Sequence, residues 1–268
     1  MTTAPDRVAA IADLIADVRL HPRRLDCLPQ DLRPRDVAEA YAVQLAVHDR
    51  LAKAGRGRRA GWKIGCTTRV MQDFLGIDRP CAGGMFDRDL HQSGARFRHA
   101  DMFKPGIECE IAVRLKTDVP MSGAPFDRDT IAAYVGEVMA AAELVDERFT
   151  DFRAPEVDAP TLIAEDFFHV GAILGPPIGD WPSLDLAALT GRTTIDGSLR
   201  GEGRGADVMG HPFAALAWLA NHLAGFGLTL NAGDTVLTGS VVVTQYPDGP
   251  GEVTTEIDRL GRVEIGFD

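Results

Sequence analysis

The stretch Gly106-Ile107-Glu108-Cys109-Glu110-Ile111-Ala112-Val113-Arg114-Leu115 decides how this chain is read. Ile107, Cys109, Ile111, Val113 and Leu115 alternate with Glu108, Glu110, Ala112 and Arg114, and this period of two predicts a β-strand over 107–115. Successive side chains of a strand point to opposite faces. Glu108 and Glu110 therefore leave one face while the apolar residues leave the other. Two carboxylates converging from one rigid element supply two of the oxygen donors that a hard cation needs. A Glu-x-Glu pair by itself more often marks a solvent-facing strand edge, so the metal reading requires a third donor from elsewhere.

Glu143 is the candidate for that donor. It sits in Met139-Ala140-Ala141-Ala142-Glu143-Leu144-Val145, where a carboxylate among apolar neighbours is costly to bury unless it is paired or metal-bound. The run 138–145 reads as a strand, with a helix as the alternative because of its alanines. Lys63, in Gly61-Trp62-Lys63-Ile64-Gly65, is a lone lysine in an apolar strand bounded by glycines. Either it snorkels to the surface, or it is held near the metal, where desolvation and cationic neighbours lower its pKa for proton transfer.

Outward from these segments the chain divides by texture. Helical spacing over 5–20 and 34–53, the latter with Ala38, Tyr41, Ala42, Leu45 and Ala46, predicts an amino-terminal helical cap over 1–58. From 59 to 268, short runs of β-branched residues between glycines and prolines predict a β-rich body, integrated with the cap into one domain of the α+β class. Within it, Thr67 or Thr68 caps a helix closed by Gly76. Asp127 starts another helix, Asp196-Gly197 marks a hairpin within 193–203, and 235–243, 252–257 and 262–267 read as strands. From Pro212 to Ala232 there is no Asp, Glu, Lys or Arg, which approaches the length of a membrane span. Asn221 and His222 interrupt that run, and Gly225, Gly227 and Asn231-Ala232-Gly233-Asp234 end it. A buried helix leading into a strand accounts for all of these residues.

With 268 residues, 45% hydrophobic and 25% charged, the composition is that of a folded globular protein able to bury a core. A net charge of -11 excludes a bare nucleic-acid or anionic-membrane surface. Arg56, Arg58 and Arg59 form a short basic cluster beside glycines, read as a solvated turn, with a basic rim for an anionic substrate as the alternative. Cys27, Cys66, Cys81 and Cys109 are scattered, without a Cys-x-x-Cys pair or a signal segment, which predicts a reducing cytoplasm. The histidines show no zinc spacing. Gly201-Glu202-Gly203-Arg204-Gly205 follows a hairpin and lacks the Gly-Lys-Ser/Thr ending of a phosphate loop. No Gly-x-Ser-x-Gly elbow is present.

In chain order, Gly61-Trp62-Lys63-Ile64-Gly65, Phe74-Leu75-Gly76-Ile77-Asp78, Ile107-Glu108-Cys109-Glu110-Ile111, Ala142-Glu143-Leu144-Val145, Gly210-His211-Pro212, Trp218-Leu219-Ala220-Asn221, Ala232-Gly233-Asp234 and Leu237-Thr238-Gly239 add up to one pattern. It resembles the 2-oxo-4-pentenoate hydratase and 4-oxalocrotonate decarboxylase family, within the wider fumarylacetoacetate hydrolase superfamily. The resemblance spans nearly the whole chain. It implies an α+β fold with a mixed β-roll or barrel-like core, an amino-terminal helical part, a bound Mg2+ or Mn2+, and a homo-oligomer.

Carried over by motif, Glu108, Glu110 and Glu143 match the metal ligands and Lys63 the active-site lysine. Two places depart from the family pattern. Pro80-Cys81-Ala82-Gly83 stands where the family reads Pro-Asp-Tyr/Phe-Gly, so Cys81 replaces an aspartate. Ala164-Glu165-Asp166-Phe167-Phe168-His169 stands where it reads Ala-Asp-Asn-Ala-Ser, so Phe168 falls on the serine. Cys81 and Phe168, with Thr238 and Gly239, are the substrate-facing candidates, and the aromatic pair Phe167 and Phe168 reads as either core packing or a more apolar substrate pocket. Asp166 and His169 are the candidates for replacement acid–base chemistry, against a capping aspartate and a partly exposed histidine as the plainer reading.

The expected partner is a small 2-oxo acid, and the expected reaction is addition of water to a 2-hydroxy-2,4-dienoate or 2-oxoenoate to give a 4-hydroxy-2-oxo acid. The same platform serves decarboxylation of a vinylogous 2-oxo diacid. Hydrolysis of an acylpyruvate C–C bond is disfavoured by the continuation Gly239-Ser240-Val241-Val242. A binding protein that kept the fold without the chemistry is the remaining alternative.

Overall fold

A computed structural model of the chain describes residues 4–268. Two helices, α1 (Ala4–Leu20) and α2 (Val37–Leu51), come first. Asp36 accepts the Glu39 N–H and so caps α2. Then follow β1 (Arg59–Gly65), α3 (Arg69–Leu75), β2 (Cys81–Phe86), β3 (Leu90–Gln92), β4 (Ala95–Phe97) and β5 (Pro105–Leu115). Thr68 caps α3 and Gly76 ends it in the left-handed conformation, as the sequence predicts. The chain continues through α4 (Arg128–Ile131), β6 (Val135–Asp146), α5 (Ala159–Ala164), β7 (His169–Leu174), β8 (Thr190–Ile195) and β9 (Ser198–Arg204). It ends with α6 (Pro212–Gly225), β10 (Thr235–Ser240), β11 (Gly251–Ile257) and β12 (Gly261–Phe267).

The strands form two mixed sheets, one of seven in the order β2-β1-β10-β5-β6-β7-β3 and one of five in the order β4-β12-β11-β8-β9. Each row ends on two different strands, so the core is two open sheets rather than a closed barrel. β11 and β12 pack over β5 and β6, which run antiparallel at the middle of the larger sheet. From Val138 to Asp146 every residue of β6 is buried. This is why its sequence lacks the alternation of a half-exposed strand and allowed a helix as the alternative.

Ile11, Ile15, Val43, Val47 and Leu51 of the two opening helices join the same apolar cluster as Trp62, Ile64, Ile111 and Leu144 of the sheet. Burying one such side chain contributes on the order of 2 kcal/mol, so the helices are held to the body by the main core. The uncharged run after Pro212 is α6, with Phe213, Leu216, Leu219 and Leu223 buried, followed by β10. Among the described residues no helix is long and apolar enough to cross a membrane.

Candidate metal centre

The β5–β6 register places Glu108 directly opposite Glu143, with Glu110 two residues along on the same face of β5. An oxygen from each of Glu108, Glu110 and Glu143 lies within 4.8 Å of the others. Glu110 and Glu143 are buried and Glu108 is partly so.

Each carboxylate is aimed by a neighbour. Between Leu237 and Ser240 the pairing of β10 with β5 shifts register, and this bulge turns the Gly239 N–H onto Glu110 Oε2 at 2.8 Å. Gly239 has φ 120°, and a Cβ there would stand 2.6 Å from Thr67 Cγ2, so both backbone and space require glycine. Thr238 Oγ1 donates to the Ile111 carbonyl at 2.7 Å, pinning the same bulge. Thr244 Oγ1 donates to Glu108 Oε1 at 2.7 Å. Glu143 Oε1 receives Lys63 Nζ at 3.2 Å and His169 Nδ1 at 2.9 Å.

Lys63 is 3% exposed, which removes the snorkelling reading. Its ammonium also donates to the Phe167 carbonyl at 3.4 Å and lies 5.6 Å from the centre of the Phe167 ring. Burial opposes its charge, yet Glu143 and Glu108 outweigh burial and hold it above the ordinary lysine range. The sequence reading expected a lowered value because it set cations around Lys63, where the structure sets carboxylates.

Burial pushes the Glu110 carboxyl well up, and Glu143 and Glu108 add to the push. Burial also raises Glu108, again reinforced by Glu143. Glu143 shares that burial, but Lys63 and His169 bring it below the usual range. Glu110 Oε1 and Glu143 Oε2 have no hydrogen-bond partner among the described residues. Three carboxylates beside a single lysine, with two oxygens orphaned, fit a divalent cation: it would satisfy those oxygens and offset the repulsion between them.

Asp166, His169, Phe168 and Cys81 fall in four different surroundings. Asp166 is fully buried, ion-paired with Arg19 of α1, and its oxygens lie 3.0 Å from His48 Nε2 of α2. The Gly84 N–H donates to it at 3.0 Å. A Cβ on Gly84 would meet His48 Cε1 at 2.4 Å, so β2 needs glycine for this approach. Burial alone would raise Asp166, but His48 and Arg19 hold its carboxyl well below the usual range. His169 opens β7 and is 2% exposed, which removes the reading of a partly exposed histidine.

Phe168, placed at the substrate by sequence, packs instead on Phe149 and Phe152 with ring centres 6.1 and 6.0 Å away. The aromatic residue that meets the lysine is Phe167. The reason is local: Asp166, Phe167 and Phe168 have φ of 61°, 48° and 66°, three successive left-handed residues, and this coil exchanges the two rings. The coil is held from both sides. The Phe168 N–H donates to Glu165 Oε1 at 2.7 Å, the Phe168 carbonyl accepts from the Asp146 N–H at 3.0 Å, and Glu165 is fixed by Arg148 Nε at 3.1 Å.

Cys81 is buried opposite Gly65 and lines, with Tyr41, His222 and Phe226, a separate pocket of about 730 Å3 that none of the three carboxylates borders. Lys63, Glu108, Glu110, Glu143, His169 and Gly239 are thus brought together, while Cys81 and the Phe168 ring are set apart. The sequence reading did not find Thr244, His48 or Arg19, and it named Phe167 only in the aromatic pair with Phe168. Thr244, His48 and Arg19 carried no signal in the sequence.

Residues 90–266 match the family profile described as fumarylacetoacetate (FAA) hydrolase C-terminal. The 2-hydroxyhexa-2,4-dienoate hydratase of Comamonas testosteroni is 34% identical over 233 residues, 86% of each chain. The 2-keto-4-pentenoate hydratase of Burkholderia vietnamiensis is 31% identical over 260 residues, 97% of each chain. The solved 4-oxalocrotonate decarboxylase from Pseudomonas putida G7, complexed with magnesium and adipate, superposes with a TM-score of 0.91 at 26% identity, over 100% of this chain and 99% of that one. With its carboxylate trio, two-sheet core and matched profile, this chain belongs to the fumarylacetoacetate hydrolase family.

Proposed function

We propose that the chain is a divalent-metal-dependent lyase that adds water to a 2-hydroxy-2,4-dienoate or 2-oxoenoate to give a 4-hydroxy-2-oxo acid. The observation that carries this is the convergence of Glu108, Glu110 and Glu143 beside a buried Lys63. Relatives at 34% and 31% identity are named hydratases. A relative at 27% and the solved neighbour at 26% are named decarboxylases, which keeps loss of carbon dioxide from a 2-oxo diacid as the second reading.

Glu108, Glu110 and Glu143 would hold Mg2+ or Mn2+. When bound, such an ion supplies Lewis-acid polarisation of the substrate's 2-oxygen. Lys63, kept protonated by Glu143, binds the substrate carboxylate or delivers a proton from Nζ. His169 fixes the rotamer of Glu143, and the Gly239 N–H and Thr244 hydroxyl fix Glu110 and Glu108. The Phe167 ring excludes water from one side of the lysine. Asp166, with both oxygens engaged, positions α1 and α2 against the site and does not exchange a proton. A homo-oligomer in the cytoplasm belongs to the same proposal, and light scattering tests the assembly.

The protein with magnesium is tested against 2-hydroxydienoates, 2-oxo diacids and acylpyruvates, with product analysis. A 4-hydroxy-2-oxo acid supports hydration. Carbon dioxide release moves the assignment to decarboxylation, and two carbonyl fragments would move it to C–C hydrolysis. Tight metal binding without turnover of any of them would leave a binding protein.

A further inference from the structure

Behind the metal centre lies a second pocket, of about 360 Å3, lined by Arg19, Arg56, Arg96, Arg98, Arg148 and His169. None of Glu108, Glu110, Glu143 or Lys63 borders it. His169 separates the two sites: its Nδ1 is engaged by Glu143, and its Nε2, on the opposite side of the ring, has no partner among the described residues although the side chain is 0% exposed. We infer that this pocket is a binding site for a small oxyanion, a carboxylate or a phosphate, distinct from the metal centre.

The balance of donors and acceptors points the same way. Arg19 meets Asp166 through Nη1, Arg56 meets Asp89 through Nη2 at 2.6 Å, and Arg148 meets Glu165 through Nε and Nη2. A guanidinium carries five N–H groups in a fixed fork, so each of these pairs leaves donors over. The carboxylates that border the pocket are already occupied. Asp146 accepts the Phe103 and Lys104 N–H groups at 2.7–3.2 Å, and Asp101 pairs with Arg98 at 3.5 Å. An entering oxyanion therefore meets unspent donors and no unpaired acceptor from these two residues. Each of the five arginines faces a carboxylate, Arg96 giving Nη1 to Glu252 and Nε and Nη2 to Asp268, so what the cavity offers an oxyanion is its leftover guanidinium donors and not an excess of positive charge. Arg and carboxylate or phosphate match in geometry as well as charge.

The 268-residue chain, stripped of metal and dialysed, is titrated calorimetrically at low salt with inorganic phosphate and, separately, with succinate. Saturable one-site binding of at least one is expected, and which of the two binds identifies the source. Arg56→Gln and Arg98→Gln, the latter at an exposed side chain, each weaken it about ten-fold or more. Lys63→Met leaves it unchanged, which separates this site from the metal centre and makes the outcome independent of the lyase reading. Absence of saturable binding of both anions overturns the inference, as does an affinity unmoved by the two arginine substitutions.

Discussion

Glu108 and Glu143 face one another directly across the β5–β6 pair, and only Glu143 has Lys63 against it. Like charges opposite one another weaken a sheet, and this pair lies in the middle of the larger one with Glu110 beside it. The arrangement is stable as a cation site and costly as anything else.

Glu108→Gln is accordingly expected to lower Mn2+ affinity at least about 100-fold, beyond the cost of losing an outer-shell partner, with the far-UV circular dichroism spectrum retained. Unchanged affinity would remove Glu108 from the metal centre. In metal-free protein, Glu110→Gln raises stability by on the order of 1 kcal/mol, because it removes a buried carboxyl that burial and two neighbouring carboxylates disfavour as an anion. Thermal unfolding after chelation reads this directly.

Lys63→Met separates binding from chemistry. The expected result is a fall in kcat of about 10²–10⁴ with Mn2+ affinity held within about ten-fold, since the carboxylates remain. A variant that turns over at the wild-type rate would confine Lys63 to holding Glu143.

Gly239→Ala brings a Cβ onto Thr67 in a backbone conformation that alanine resists. Destabilisation of about 1–3 kcal/mol follows. Because the same residue donates to Glu110, metal affinity falls with it. A denaturant series and a metal titration on the same variant test both effects, and normal values in both would show that the bulge adapts.

Asp166→Asn breaks the buried ion pair with Arg19 and is expected to cost about 3 kcal/mol near neutral pH. The wild-type carboxyl is held below its ordinary value of 3.8 in the folded state. Its stabilisation is therefore fully present above that value and is lost as pH falls through the lowered one. The gap in stability between wild type and variant should narrow below about pH 4, which denaturant curves at several pH values would show. A gap that does not change with pH would mean that ionisation of Asp166 contributes nothing.

The centre of the fold was legible where one face of a strand is polar and the other apolar. β5 declared itself through Ile107, Cys109 and Ile111 against Glu108 and Glu110, and α3 through its caps Thr68 and Gly76. Glu143 stood out because a charge in an alanine run needs a reason. β2, rich in glycine, and the three-residue β3 and β4 carried too little pattern to be read. Assigning Phe167 rather than Phe168 to the lysine depended on three left-handed residues that no propensity of Asp or Phe announces. Thr244, His48 and Arg19 reach the site from distant parts of the chain, and their positions follow from tertiary packing alone.

The left-handed coil at Asp166–Phe168 is disfavoured by about 1–2 kcal/mol per residue, and its anchor Arg19 lies 147 positions earlier in the chain. Arg19 and His48 tie the coil to α1 and α2, so the placement of Phe167 draws on contacts from the amino-terminal helices. A fragment lacking α1 would keep Glu108, Glu110 and Glu143 and lose the Arg19 anchor of the coil that places Phe167.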